Sequence, residues 1–216
     1  ADCSKHELPH FAEASKASCD ATNIKMHIYG ALIHGYRSIV TAIPDHEAQG
    51  HNVTVQMLWE YINTFYRERT YFPKVLLLQL DNTTKQNKDQ YLFGFLSLLV
   101  KQGVFKKVLL SFLPVGHTHE DVDLGFGILL AKVLQRHRVQ CPVELAAMIE
   151  IEMATWAASR GEECHCTVLQ RIRDFYGWLE PQGIRIHNCW ITRRGTSAPH
   201  SFAYKRRHGL TDSELL

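Results

Sequence analysis

The sequence predicts an α/β fold: a mixed β-sheet flanked by helices, with a small C-terminal α+β appendage. Three observations predict it. Two short, continuous apolar runs, over residues 75–80 and 105–113, read as strands buried on both faces, the parallel type. A helix-period segment separates them and another follows, and such alternation implies parallel pairing. Before them, two apolar, β-branched segments flank Gly35 and read as an antiparallel hairpin.

The elements follow in chain order. Residues 2–11 show no clear periodicity. The chain opens on Ala1-Asp2 without Met and reads as a piece of a longer protein. Residues 24–34 and 36–43 form the two arms of the hairpin, and 44–52 a polar loop. Asn52 or Thr54 suits the cap of a helix running to about Arg67. Val55, Leu58, Trp59, Ile62, Phe65 and Tyr66 recur on one face of it. Pro73 precedes the first buried strand, which ends at Asp81-Asn82. A helix over 88–102 follows, stopped by Gly103 in the C-cap position. The second buried strand leads through Pro114 and Gly116 to a helix over 120–136. Pro142 starts another, amphipathic over 143–159. Residues 167–179 read as a short helix, and 183–192 and 201–207 as two strands. The predicted organisation is a core over 1–160 and the appendage over 161–216.

Bulk properties exclude little. At 216 residues and 45% hydrophobic, the chain has enough apolar surface for a sizeable core. A net charge of +2 is too small to imply a nucleic-acid partner by composition. Basic residues do concentrate late, at Arg171, Arg173, Arg185, Arg193, Arg194 and Lys205 to Arg207, a stretch read first as solvated surface. No signal-like start and no apolar run of membrane-spanning length is visible, so a nuclear or cytoplasmic protein, neither secreted nor membrane-bound, is expected. The six cysteines are then expected to be reduced. Cys164-His165-Cys166 has no second pair and is not read as a zinc site.

Chemistry is suggested where the two buried strands end. Asp81 closes the first strand, and Gly116-His117-Thr118-His119-Glu120-Asp121-Val122-Asp123 follows the second. Parallel neighbours would bring both segments to one sheet edge, where loops carry function. Carboxylates converging there repel unless a cation or proton joins them, and a divalent metal is the common solution. The bland reading is that Asp81-Asn82 makes a turn and that Glu120, Asp121 and Asp123 complement a helix dipole.

The order of elements resembles the ribonuclease H-like fold of DDE transposases and retroviral integrases. Closer still is the similarity to a family of transposon-derived domains of uncharacterised function. It rests on Leu78-Gln79-Leu80-Asp81-Asn82, on Asn87-Lys88, and on Phe112-Leu113-Pro114-Val115-Gly116-His117-Thr118-His119-Glu120-Asp121. The resemblance implies a metal-dependent DNA cleavage and strand-transfer domain, a DDE-type polynucleotidyl transferase, using Mg²⁺ or Mn²⁺. Asp81 would be the second carboxylate of the triad. The third would come from Asp121 or Asp123, 40 and 42 positions later, with Glu120 ranked after them. Glu120 and Asp123 share a helix face; Asp121 points elsewhere. Asp81, Asp121 and Asp123 are the expected metal ligands. The family pattern sets its first acid at the end of strand one, which would lie upstream of Ala1, and leaves Asp2 as the candidate. His117 and His119 would shuttle protons or add a ligand. Lys85, Asn87 and Lys88 would contact DNA phosphate. A homo-oligomer stays open. Two other readings compete: a domesticated, catalytically inactive binding module, and a zinc or manganese hydrolase built on His117, His119, Asp81 and Asp121.

Overall fold

A computed structural model describes residues 2–7, 25–47, 52–80, 90–112, 120–134, 139, 141–182 and 201–205. Helices and strands mix, as expected of an α/β chain. Contacts divide it into two units, residues 1–49 with 118–172, and residues 50–117 with 173–216.

The first unit holds a four-stranded sheet in the order β1-β2-β3-β6: β1 (Asp2–Glu7), β2 (Lys25–Ile33), β3 (Arg37–Pro44) and β6 (Glu163–Val168). β1, β2 and β3 are antiparallel, and β6 runs parallel to β3. The hairpin over β2 and β3 stands where the sequence predicts it. β1 does not: residues 2–7 carry no apolar pattern, and their strand forms by completing a ladder on the edge of β2. Two of the described helices belong to this unit. α3 (Glu120–Leu129) continues into a π-helical turn over Leu130–Leu134, and α4 spans Pro142–Ala158. Alternate residues of the strands face these helices: Met26 and Ile28, Val40 and Ala42, Cys166. Leu145, Ile149, Met153 and Trp156 form the matching stripe on α4, joined by Leu129 and Val133.

The predicted helix over 167–179 is corrected. Residues 163–168 are strand β6, and the helix is the short α5 (Phe175–Leu179). Partnership with β3 outweighs local helix propensity up to Val168, and Asp174 then starts the helix by accepting the Gly177 N–H at 2.9 Å.

The second unit holds a three-stranded sheet, β4 (Val75–Leu80), β5 (Lys107–Phe112) and β7 (Ser201–Lys205), in the order β4-β5-β7. β4 and β5 are parallel; β7 is antiparallel to β5. Its helices are α1 (Asn52–Arg69), α2 (Gln90–Lys101) and α5. The ring of Phe93 on α2 meets Phe112, Phe202 and Tyr204 from β5 and β7. Gly103 takes the left-handed conformation, φ 75°, that ends α2 as the sequence predicts.

Two expectations change here. β4 is not buried on both faces: Leu77 is 73% exposed and Val75 42%, while Leu80 is buried. Among the described strands β4 stands at the edge of its sheet, and the face carrying Val75 and Leu77 points away from α2. On α1, burial is not confined to one stripe. Residues Val53 to Leu58 are all buried, whereas Tyr66 at the far end is 49% exposed. Gln56 tolerates burial because it donates to Glu60 and accepts the Arg173 N–H at 3.1 Å. Of the segment expected as an appendage, β6 joins the first sheet and β7 the second. The predicted strand over 183–192 lies outside the described residues.

Candidate functional site

The strands leading to the predicted site pair as the sequence reading requires. β4 and β5 run parallel, with Leu80 opposite Phe112 at their C-terminal ends. The chain therefore leaves both strands at one end of the sheet, where β4 is followed in sequence by Asp81 and β5 by residues 113–119. Asp81, Asn82, Lys85, Asn87, Lys88, His117 and His119 lie outside the described residues. Glu120, Asp121 and Asp123 fall in the first turn of α3. Asp2 opens β1, in register with Gly30. It thus begins a strand, whereas the resemblance sets the first acid at a strand's end. The β4 and β5 ends belong to one unit and α3 to the other.

α3 is seated by a close approach. A Cβ on Gly125 would lie 2.9 Å from Cη2 of Trp156. Glycine at this position lets the helix backbone rest against the indole, which fixes the helix that carries the three acids.

Two polar clusters escape a reading of the sequence. The first joins β3 to the turn between α4 and β6. The Ser38 hydroxyl donates to Glu162 at 2.6 Å, and both residues are buried. Arg160 stands 3.6 Å from the same carboxylate and 5.5 Å above the Trp156 ring. Arg37 pairs with Glu163 at 3.2 Å. The Ser38–Glu162 and Arg37–Glu163 bonds link residues more than a hundred positions apart, so no local pattern announces them. They fasten β6 to β3 rather than prepare a reactive group.

The second cluster lies between α4 and β6. Glu150 accepts the Cys166 N–H at 2.8 Å and faces His165 Nδ1 at 2.9 Å. Burial pushes the Cys164 thiol up to about 11, helped by the Glu150 charge. Burial raises the Cys166 thiol as well, with further contributions from Cys164 and Glu150. Thiols held protonated are poor nucleophiles and poor metal ligands at neutral pH. The alternation Cys-His-Cys is the one sequence sign of this cluster, legible once the segment is read as a strand. Among the described residues, no group of three or more His, Cys, Asp or Glu is arranged to hold a metal ion. An apolar hollow lined by Gly30, Leu32, Ile39, Phe126, Met153 and Trp156 also lies in this unit, and these residues offer no acid–base group. No described helix is long and apolar enough to cross a membrane.

Comparison with curated proteins and with solved structures finds no match. A family model does match, over residues 16–212, most of the chain. The chain belongs to the family described as "Domain of unknown function (DUF7869)".

Proposed function

We propose that this chain is a transposase- or integrase-type catalytic domain of ribonuclease H-like descent that cleaves DNA phosphodiesters and transfers strands. One observation supports the reading most: β4 and β5 are parallel and end together, Leu80 opposite Phe112, and these are the strands that Asp81 and the segment with His117 and His119 follow in sequence. Asp81, Asp121 and Asp123 are hard oxygen donors, a set that suits Mg²⁺ or Mn²⁺. Such ions, when bound, neutralise the scissile phosphate and activate the attacking hydroxyl. Asp81, Asp121 and Asp123 would hold them and would thereby lose their mutual repulsion. His117 or His119 takes or returns the proton of the attacking group. Lys85, Asn87 and Lys88 hold the flanking phosphates.

The test is Asp81→Asn. Magnesium-dependent nicking of a supercoiled plasmid is expected to fall at least a hundredfold, with an unchanged far-ultraviolet circular dichroism spectrum. Full nicking by the folded variant would end this reading. A second reading, a domesticated module that binds DNA without cutting it, is favoured by Asp2 opening β1 instead of closing it. It predicts DNA binding without cleavage, and no uptake of Mg²⁺ or Mn²⁺ by calorimetry in the wild-type chain.

A further inference from the structure

We infer that the second unit carries a binding surface for single-stranded nucleic acid at the sheet edge opposite Leu80 and Phe112. Three chain segments meet there. The backbone carbonyl of Lys74, just before β4, accepts the N–H groups of Lys106 at 2.8 Å and Lys107 at 3.2 Å. Lys107 then pairs in register with Val75 on one side and Lys205 on the other. Four lysines from three distant parts of the sequence are thereby gathered at one edge. Lys74, Lys106 and Lys205 are exposed and Lys107 half-buried. No run of sequence shows this concentration of charge; the sheet assembles it.

An aromatic ledge precedes two of these lysines in the chain, Phe72 lying two residues before Lys74 and Phe105 one before Lys106. The Tyr66 ring stacks on Phe72 at 4.8 Å and 17°. Phe72 leans on Phe105, 5.4 Å away, at the start of the chain into β5. Tyr71 meets Phe65 edge-on at 6.2 Å. Tyr66 is 49% and Tyr71 59% exposed, so two large rings are kept in water while their inner neighbours hold them in place. The turn between them is strained. Thr70 has φ 59°, a left-handed conformation that a β-branched residue adopts at a cost of about 1–3 kcal/mol. Strain of this kind persists where the surrounding structure fixes a geometry, and here it turns the end of α1 so that Tyr71 is presented outward.

Rigid exposed rings beside clustered cations are what a single strand needs. Its bases stack on the aromatic faces and its phosphates meet the lysines. A duplex hides its base faces, and the Asp and Glu side chains of an acidic polypeptide present no extended π-face to stack, so charge complementarity together with the rings points to the unpaired strand. The surface is separate from the proposed cleavage site, since β4 spans roughly 17 Å between its two ends. The inference therefore does not rest on the cleavage reading.

The probe is a fluorescein-labelled fifteen-nucleotide oligo(dT), followed by anisotropy in EDTA. The absence of divalent ions removes any contribution of cleavage. If three lysines each neutralise a phosphate, affinity falls roughly twentyfold between 50 and 200 mM salt. Tyr71→Ala is expected to weaken binding roughly tenfold. Lys74→Glu with Lys106→Glu is expected to abolish it at 200 mM salt. Both variants change exposed side chains and should keep the wild-type melting temperature. Asp81→Asn should bind the strand as wild type does, even where it no longer nicks a plasmid. Unchanged affinity in both surface variants would overturn the inference. So would equal affinity for a fifteen-base-pair duplex, or displacement of the strand by an equal charge of poly-glutamate.

Discussion

Two glycines on α3, two residues apart, should respond in opposite directions to the same substitution. Gly127 is exposed, and a Cβ there meets nothing within 4 Å. Replacing glycine by alanine in an open helix position gains about 1 kcal/mol, because the unfolded chain loses freedom and the helix gains a better former. At Gly125 the same Cβ would stand 2.9 Å, 3.1 Å and 3.4 Å from three ring atoms of Trp156. That indole is 9% exposed and covered by the Arg160 guanidinium, so it has little room to retreat. Overpacking of this sort costs about 1–3 kcal/mol. Set against the same helix gain, Gly125→Ala should be net destabilising by about 1 kcal/mol. The two variants are thus expected to differ by about 2 kcal/mol, or roughly 4–8 °C in melting temperature for a chain of this size. Urea titration followed by circular dichroism gives the free energies directly. Trp156→Leu should relieve the cost, so a double-mutant cycle should show coupling of at least about 0.5 kcal/mol. If Gly125→Ala raises stability as much as Gly127→Ala does, then α3 does not rest on Trp156, and the seating of the acid-bearing helix described above is wrong.

Other expectations come from the polar clusters. Ser38→Ala removes a 2.6 Å bond to the buried Glu162 carboxylate and should cost about 2 kcal/mol in urea; a loss under 0.5 kcal/mol would mean that water already serves that carboxylate. The Cys164 thiol is raised by burial from about 9 in the unfolded chain to about 11 when folded. Its neutral form is the one folding favours, so this contribution is full below pH 9 and is lost as pH rises toward 11. The urea midpoint should therefore fall less steeply over that window in Cys164→Ala than in wild type, and parallel slopes would contradict the assigned burial. At pH 8, peptide mapping after iodoacetamide should show the exposed Cys141 alkylated well before Cys164 and Cys166.

Periodicity and turn chemistry by themselves determined the hairpin, α1, β4, α2, β5, α3, α4 and β7, because each has either an apolar pattern of the right period or a clear stop such as Gly103. They also determined that Asp81 follows a strand and that the acids at 120, 121 and 123 open a helix, since both follow from adjacent residues alone. Strand partnership was beyond them. β1 and β6 owe their existence to the open edges of β2 and β3, and the edge position of β4, with Leu77 exposed, is a property of the assembled sheet. Local sequence encodes the period of a segment, but not which segment will stand beside it. Only the tertiary structure could bring Ser38 to Glu162, or Lys74 to Lys106 and Lys205, because those contacts depend on hydrogen-bonded registers between segments far apart in the chain.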